Sequence, residues 1–152
     1  MSEKASIQRR RISRNRIVFL IITFTVALVV AVMDQTIKHW VVTANVTYRI
    51  NTGGFLGLFA GAVWIQGMAH WLLVVMLGYL FFFQKKYSFV EGIALGLLVG
   101  GGVGNSIDRW RYGGVVDFIN LPLLPTFNLA DAAITAAVGL VILSAIVKQE
   151  NV

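Results

Sequence analysis

Four apolar runs constrain this chain more than any other feature. They are IVFLIITFTVALVVAVM (17–33), a stretch over 67–83 centred on HWLLVVMLGYLFFF, FVEGIALGLLVGGGVGN (89–105), and a run over 128–147 containing LADAAITAAVGLVILSAIV. Each approaches the ~20 residues needed to cross about 30 Å of hydrocarbon. A soluble core of this size could not absorb them, because 57% of the residues are hydrophobic, only 13% are charged, and mean hydropathy is +0.76. The expected fold is an all-α polytopic membrane protein with four transmembrane helices. The first run exceeds the ~7–15 apolar residues of a secretory signal and lacks a clear A-x-A ending, so it reads as a retained anchor.

Charge placement orients these spans. Lys4, Arg9, Arg10, Arg11, Arg14 and Arg16 precede the first run, Lys85 and Lys86 close the second, and Lys148 ends the fourth. Lys38, Arg49, Arg109 and Arg111 fall on the opposite side, in the segments that follow the first and third runs. Nine of the thirteen basic residues therefore sit on one side, which the positive-inside bias makes the cytoplasm, with both termini there. The net charge of +6 is thereby explained by anchoring to anionic lipid headgroups. No nucleic-acid partner is expected, since the basic segment 1–16 carries no RNA-binding or aromatic pattern.

The domain organisation is this basic segment followed by one membrane domain, 17–148, with extracytoplasmic segments over 34–66 and 106–127. Gly92, Gly96, Gly100 and Gly104 recur every four residues in the third run, a groove for close helix approach. They lack the G-x-G-x-x-G spacing of a dinucleotide loop. Between the first two spans, TANVTYRINTGGFLGLFAGAVWIQGMA mixes β-branched and aromatic residues with Gly53, Gly54, Gly57 and Gly61. That composition predicts a small β-rich extracytoplasmic surface unit between helices 1 and 2. Trp40, Trp64 and Trp71 suit an interfacial belt.

The chemistry must come from oxygen and nitrogen, because the chain has no cysteine and hence no disulfide, thiol nucleophile or thiolate metal site. His39 and His70 stand apart, without a zinc-binding H-E-x-x-H or H-x-x-E-H spacing, and no G-x-S-x-G or Ser/Lys dyad pattern occurs. Neither a metal nor a cofactor is expected. Asp34, Asp108, Asp117 and Asp131, in contrast, all fall at or near the outer boundary. Ionisable groups there are costly and point to function. On one continuous helix Asp117 and Asp131 would stand ~21 Å apart. Pro122 and Pro125 make that helix unfavourable, so the strand-like VVDFI can lie against the start of the fourth span. Two carboxylates brought together at low dielectric share a proton, one acting as base and the other as acid. Taken singly, each has a structural reading: Asp131 as a helix cap, Asp108 paired with Arg109 or Arg111, Asp34 beside Lys38, and Asn105 and Asn128 as helix-end residues.

The run DQTIK (34–38), then NTGG with Gly57 following (51–57), GNSIDR (104–109), GGVVDF (113–118) and FNLADAAI (127–134) resembles the ordered motif set of the lipoprotein signal peptidases, the type II bacterial signal peptidases. The resemblance implies an aspartic endopeptidase of the bacterial inner membrane that cuts diacylglyceryl-modified prolipoproteins before the lipidated cysteine. It implies Asp117 and Asp131 as the catalytic pair, with Asp34, Lys38, Asn51, Gly53, Asn105, Asp108, Arg109 and Asn128 supporting them or lining the substrate channel. Prolipoproteins and membrane lipid are the implied partners, met by a monomer whose active site lies near the outer leaflet. Phe55 and Leu56 follow NTGG directly, where the family more often places small residues first, and the basic N-terminal extension is long. Two other readings compete. A proton- or cation-coupled transport module would spread acids through the depth of the spans, whereas within the spans only Glu91 departs from the outer cluster. A non-catalytic lipoprotein-binding scaffold would not need the full motif set.

Overall fold

The computed structural model describes residues 3–52, 63–83 and 88–150. The elements, in chain order, are α1 (Glu3–Thr43), β1 (Arg49–Asn51), α2 (Val63–Phe83), α3 (Phe89–Tyr112), β2 (Val115–Asp117) and α4 (Leu129–Glu150). Three helical stretches, Asn15–Thr43, Phe89–Tyr112 and Leu129–Val147, are long and apolar enough to cross a membrane. α2 adds a shorter described apolar stretch, His70–Tyr79.

α3 is the centre of the bundle and packs against each of the other three helices. Its apolar window is 61% buried within the fold, against 11% for α1 and 17% for α4. Glycine makes this possible. Gly92, Gly96 and Gly100 meet α1 so closely that a Cβ on Gly96 would lie 2.7 Å from that of Val26, and one on Gly100 2.6 Å from the Ala27 carbonyl oxygen. The four-residue glycine spacing is therefore a packing groove, as its periodicity predicts. The next two glycines turn to other partners, because consecutive residues are 100° apart around a helix. A Cβ on Gly101 would stand 2.6 Å from the Ala130 carbonyl oxygen of α4, and one on Gly102 would run into the His70 ring of α2. His70 Nε2 lies 3.1 Å from the Leu98 carbonyl oxygen, which seats that ring. Toward the other end, Phe19, Phe81 and Leu95 form a core cluster, with Phe19 and Phe81 in edge contact at 6.4 Å.

Two helices run further than hydropathy predicts. α1 continues from the expected end of its span at 33 to Thr43, and α3 from 105 to Tyr112. Asp34 and Lys38, and likewise Asp108, Arg109 and Arg111, are thus helical residues rather than parts of connecting segments. Their polarity lowers a hydropathy window but does not end a helix, since Asp34, Lys38 and Asp108 meet inside the bundle. α3 stops at Gly113, whose φ of +66° gives the left-handed cap and whose N–H donates to the Arg109 carbonyl oxygen at 3.1 Å.

One strand of the expected β-rich surface unit between helices 1 and 2 is described, and its partner comes from elsewhere in the chain. β1 comes from that segment, but it pairs antiparallel with β2, from the connection between α3 and α4. The register is Arg49↔Asp117, Ile50↔Val116 and Asn51↔Val115. Three-residue strands have little pairing signal of their own, so their partner was set by tertiary anchoring. Gly53, Gly54, Gly57 and Gly61, with Lys85 and Lys86 of the expected cytoplasmic turn, lie outside the described residues.

Candidate active site

The polar interior begins with Lys38. Its side chain is only 3% exposed, and a buried ammonium needs an acceptor for each of its three donors. Lys38 Nζ stands 2.8 Å from Asp34 Oδ2, 2.7 Å from Asp108 Oδ2 and 3.1 Å from Asn105 Oδ1. Asp34 and Lys38 share a face of α1 at i, i+4, while Asn105 and Asp108 share a face of α3 at i, i+3. Gly104 leaves room for the Asp34 carboxylate.

Each carboxylate of this pair also holds another element. Asp34 Oδ1 accepts the Ala130 N–H at 2.9 Å, satisfying an open donor in the first turn of α4. Asp108 Oδ2 accepts the Val116 N–H at 3.0 Å, pinning β2 to α3. Asp108 Oδ1 accepts from Gln35 Nε2 at 2.9 Å, and the same amide nitrogen donates to the Gly104 carbonyl oxygen at 3.1 Å. Neither arginine is the partner of Asp108, which corrects that expectation. Arg111 donates to the Gln35 side-chain oxygen Oε1 at 3.4 Å, and Arg109 donates to the Asn105 backbone oxygen at 3.2 Å. Arg109 Nε is buried without a hydrogen-bond partner among the described residues.

Asp117 and Asp131 are joined differently. Asp117 ends β2, 1% exposed. Its Oδ2 accepts Asn51 Nδ2 from the neighbouring strand and its Oδ1 accepts Asn128 Nδ2, both at 2.8 Å. Asn128 Nδ2 also reaches Asn105 Oδ1 at 3.2 Å, and Asn105 Nδ2 donates to Asp131 Oδ1 at 2.8 Å. Two side-chain amides therefore connect the carboxylates. Their flips are fixed by neighbours: Asn105 must turn its oxygen to Lys38, and Asn128 turns its oxygen to the Asp131 N–H at 2.9 Å. That last bond makes Asn128, not Asp131, the N-cap of α4, with Asp131 in the first turn where the helix dipole favours negative charge.

Burial, more than anything else, pushes the Asp117 carboxyl up to about 6. The nearby Asp131 charge adds to this, while the Asn51 and Asn128 hydrogen bonds and Lys38 act against it. A cavity of about 850 Å³ opens beside Asp117, lined among others by Tyr48, Arg49, Phe118, Leu124 and Pro125. A carboxyl raised to about 6, linked to a second carboxylate and lining an open cavity, can give a proton to a bound carbonyl.

Asp34, Lys38, Asn51, Asn105, Asp108, Asp117, Asn128 and Asp131 thus form one network, with Arg109 at its edge; Gly53 lies outside the described residues. Sequence reasoning missed Gln35, although an amide beside Asp34 within an apolar helix was the available signal. It also missed Ser106, which accepts from Trp71 Nε1 at 3.1 Å. Among the described residues no three His, Asp or Glu side chains group as a metal site.

The family model described as "Signal peptidase (SPase) II" matches residues 26–147. The chain is 37% identical over 121 residues to a lipoprotein signal peptidase of Syntrophomonas wolfei, covering 70% of this chain and 80% of that protein. It is 35% identical over 143 residues to a lipoprotein signal peptidase of Shouchella clausii, covering 84% and 95%. Its fold is similar to a bacterial membrane enzyme solved by the in meso method at 2.3 Å resolution, with TM-score 0.77, 27% identity, and coverage of 85% of this chain and 90% of that one.

Proposed function

The chain belongs to the signal peptidase II family, and from that premise we propose that Asp117 and Asp131 are the catalytic carboxylates of an aspartic endopeptidase that removes the signal peptide from diacylglyceryl-modified prolipoproteins. The observation that carries the site assignment is the two-amide bridge between a buried Asp117 and Asp131.

In this mechanism Asp131, ionised, takes a proton from water as the water oxygen bonds to the scissile carbonyl carbon. Asp117 gives its proton to the carbonyl oxygen, so a neutral diol forms instead of an unsupported oxyanion. In breakdown Asp131 returns its proton to the departing amine, one diol hydroxyl gives a proton to Asp117, and the carbon–nitrogen bond breaks. The pair is then ready for another cycle. Asn51, Asn105 and Asn128 hold the carboxylates without neutralising them, and Asp34, Lys38 and Asp108 fix the helices that carry them. Arg109 offers Nε to a substrate backbone carbonyl.

The four crossings are those of α1 to α4, with both termini cytoplasmic and the site near the outer leaflet of the bacterial inner membrane, in a single chain. The basic run before the first span and the acidic cluster at the opposite end support this orientation. The direct test is incubation of the purified protein with a lipidated prolipoprotein peptide. Cleavage before the modified cysteine is expected, insensitive to chelators and to serine- or cysteine-directed reagents. An intact peptide would leave the scaffold reading in its place.

A further inference from the structure

Outside the helices, the most exposed apolar feature among the described residues is the turn Leu121-Pro122-Leu123-Leu124. Leu121 is 46% exposed, Leu123 103% and Leu124 55%. This is a built turn. Leu124 N donates to the Leu121 oxygen at 3.2 Å, and an antiparallel bridge between Ile119 and Phe127 closes the base with hydrogen bonds of 2.8 and 3.1 Å. Leu123 holds φ +69°, a region uncommon and unfavourable for leucine. The turn therefore keeps three leucines turned outward against both backbone preference and the hydrophobic effect.

What covers them follows from continuity with the lipid-facing surface. The base of the turn is Phe127, two residues before α4, and the apolar windows of α4 and α1 are only 17% and 11% buried within the fold. At this end of the bundle Trp40 on α1 is 60% exposed and Trp110 on α3 is 78% exposed, and tryptophan settles at the headgroup level. We propose that the 121–124 turn is inserted into the membrane interface as the lipid-side lip of the cavity beside Asp117. Leu124 and Pro125 line that cavity, so the lip has one face toward lipid and the other toward the site. A substrate carrying acyl chains reaches Asp117 by sliding over it, its chains still in the bilayer. The inference rests on the placement of the site near the leaflet, but the insertion of the turn is tested without catalysis, so failure of the peptidase reading would leave the insertion standing and remove only the delivery role.

The chain has no cysteine, which permits a single reporter at Leu123→Cys. The full chain, carrying a polarity-sensitive fluorophore there, is reconstituted without substrate into phosphatidylcholine–phosphatidylglycerol vesicles. Blue-shifted emission, quenched by doxyl-labelled lipid more strongly than by aqueous iodide, is the expected result. Water-like emission quenched by iodide overturns the proposal. Emission that shifts only on adding lipidated peptide assigns the turn to substrate, and emission that depends on the protein-to-lipid ratio assigns it to a second copy; either also overturns it. In a separate assay, the double variant Leu121→Ser/Leu123→Ser should raise KM for the lipidated peptide in vesicles several-fold with kcat unchanged. An unchanged KM would overturn the delivery role.

Discussion

The polar interior holds two pairs of aspartates built from the same side chain to opposite ends. Asp34 and Asp108 close on one buried ammonium, Lys38, at 2.8 and 2.7 Å. Asp117 and Asp131 are linked through the neutral amides of Asn128 and Asn105. The first pair is compensated and spends its remaining lone pairs on backbone N–H groups of β2 and α4, so it serves architecture. In the second, amides orient the oxygens without supplying charge, and burial is left to raise Asp117 to about 6. In the proposed assignment the bridging group, cation or amide, separates a structural carboxylate from a reactive one.

If this contrast holds, the largest effect falls on the amide-bridged pair. Asp117→Asn and Asp131→Asn should each lower cleavage of a lipidated peptide by at least about 10²–10⁴-fold, because an amide can neither release nor accept the proton. Both variants should remain inserted and folded, as judged by circular dichroism in detergent. Turnover near wild type in either would remove that residue from the pair.

The cation-bridged pair should respond in stability instead. Lys38→Met leaves two buried carboxylates uncompensated and is expected to cost about 3–5 kcal/mol, seen as a lowered unfolding midpoint. Adding Asp34→Asn and Asp108→Asn to Lys38→Met should recover much of that loss. If the triple variant is no more stable than Lys38→Met, charge compensation is not what the lysine provides.

Arg109 tests the boundary between the pairs. Lysine keeps the charge but lacks the planar fork and the Nε donor, so Arg109→Lys should be impaired almost as much as Arg109→Ala, by roughly ten- to a hundred-fold in rate. The shape of the pH profile should be retained. Full activity with lysine would reduce the role to charge balance.

The smallest effect is the pH response of the unmodified protein. A raised carboxyl is protonated below its pKa and ionised above it, so the proton-donating form of Asp117 is lost as pH rises through about 6. The profile of kcat/KM should therefore fall on its alkaline side by about tenfold per unit, since it reports groups of the free enzyme. A plateau extending well above neutrality would assign the required proton elsewhere.

How far the sequence led depends on whether an interaction is local or crosses the bundle. The glycine spacing named its own groove, and the residues DQTIK, GNSIDR, VVDF and NLAD picked out nearly all of the network. Hydropathy misjudged the ends of α1 and α3, because it counts Asp34, Lys38 and Asp108 as solvent-seeking when Lys38 binds Asp34 on its own helix and Asp108 across the bundle. The same blindness put Asp108 beside its sequence neighbour Arg109, although helix geometry turns the two side chains to different faces. Pairing of β1 with β2 spans more than sixty residues and rests on Asp108 holding the Val116 N–H, which no local pattern encodes.

The triplet Gly100-Gly101-Gly102 has a mechanical consequence. With its backbone pressed against α1, α4 and α2 within a single turn, α3 cannot slide along one neighbour without colliding with another. Helix sliding is therefore closed as a way to admit an incoming chain. Outside that lock lie the segments 44–52 and 118–127, which frame the cavity beside Asp117.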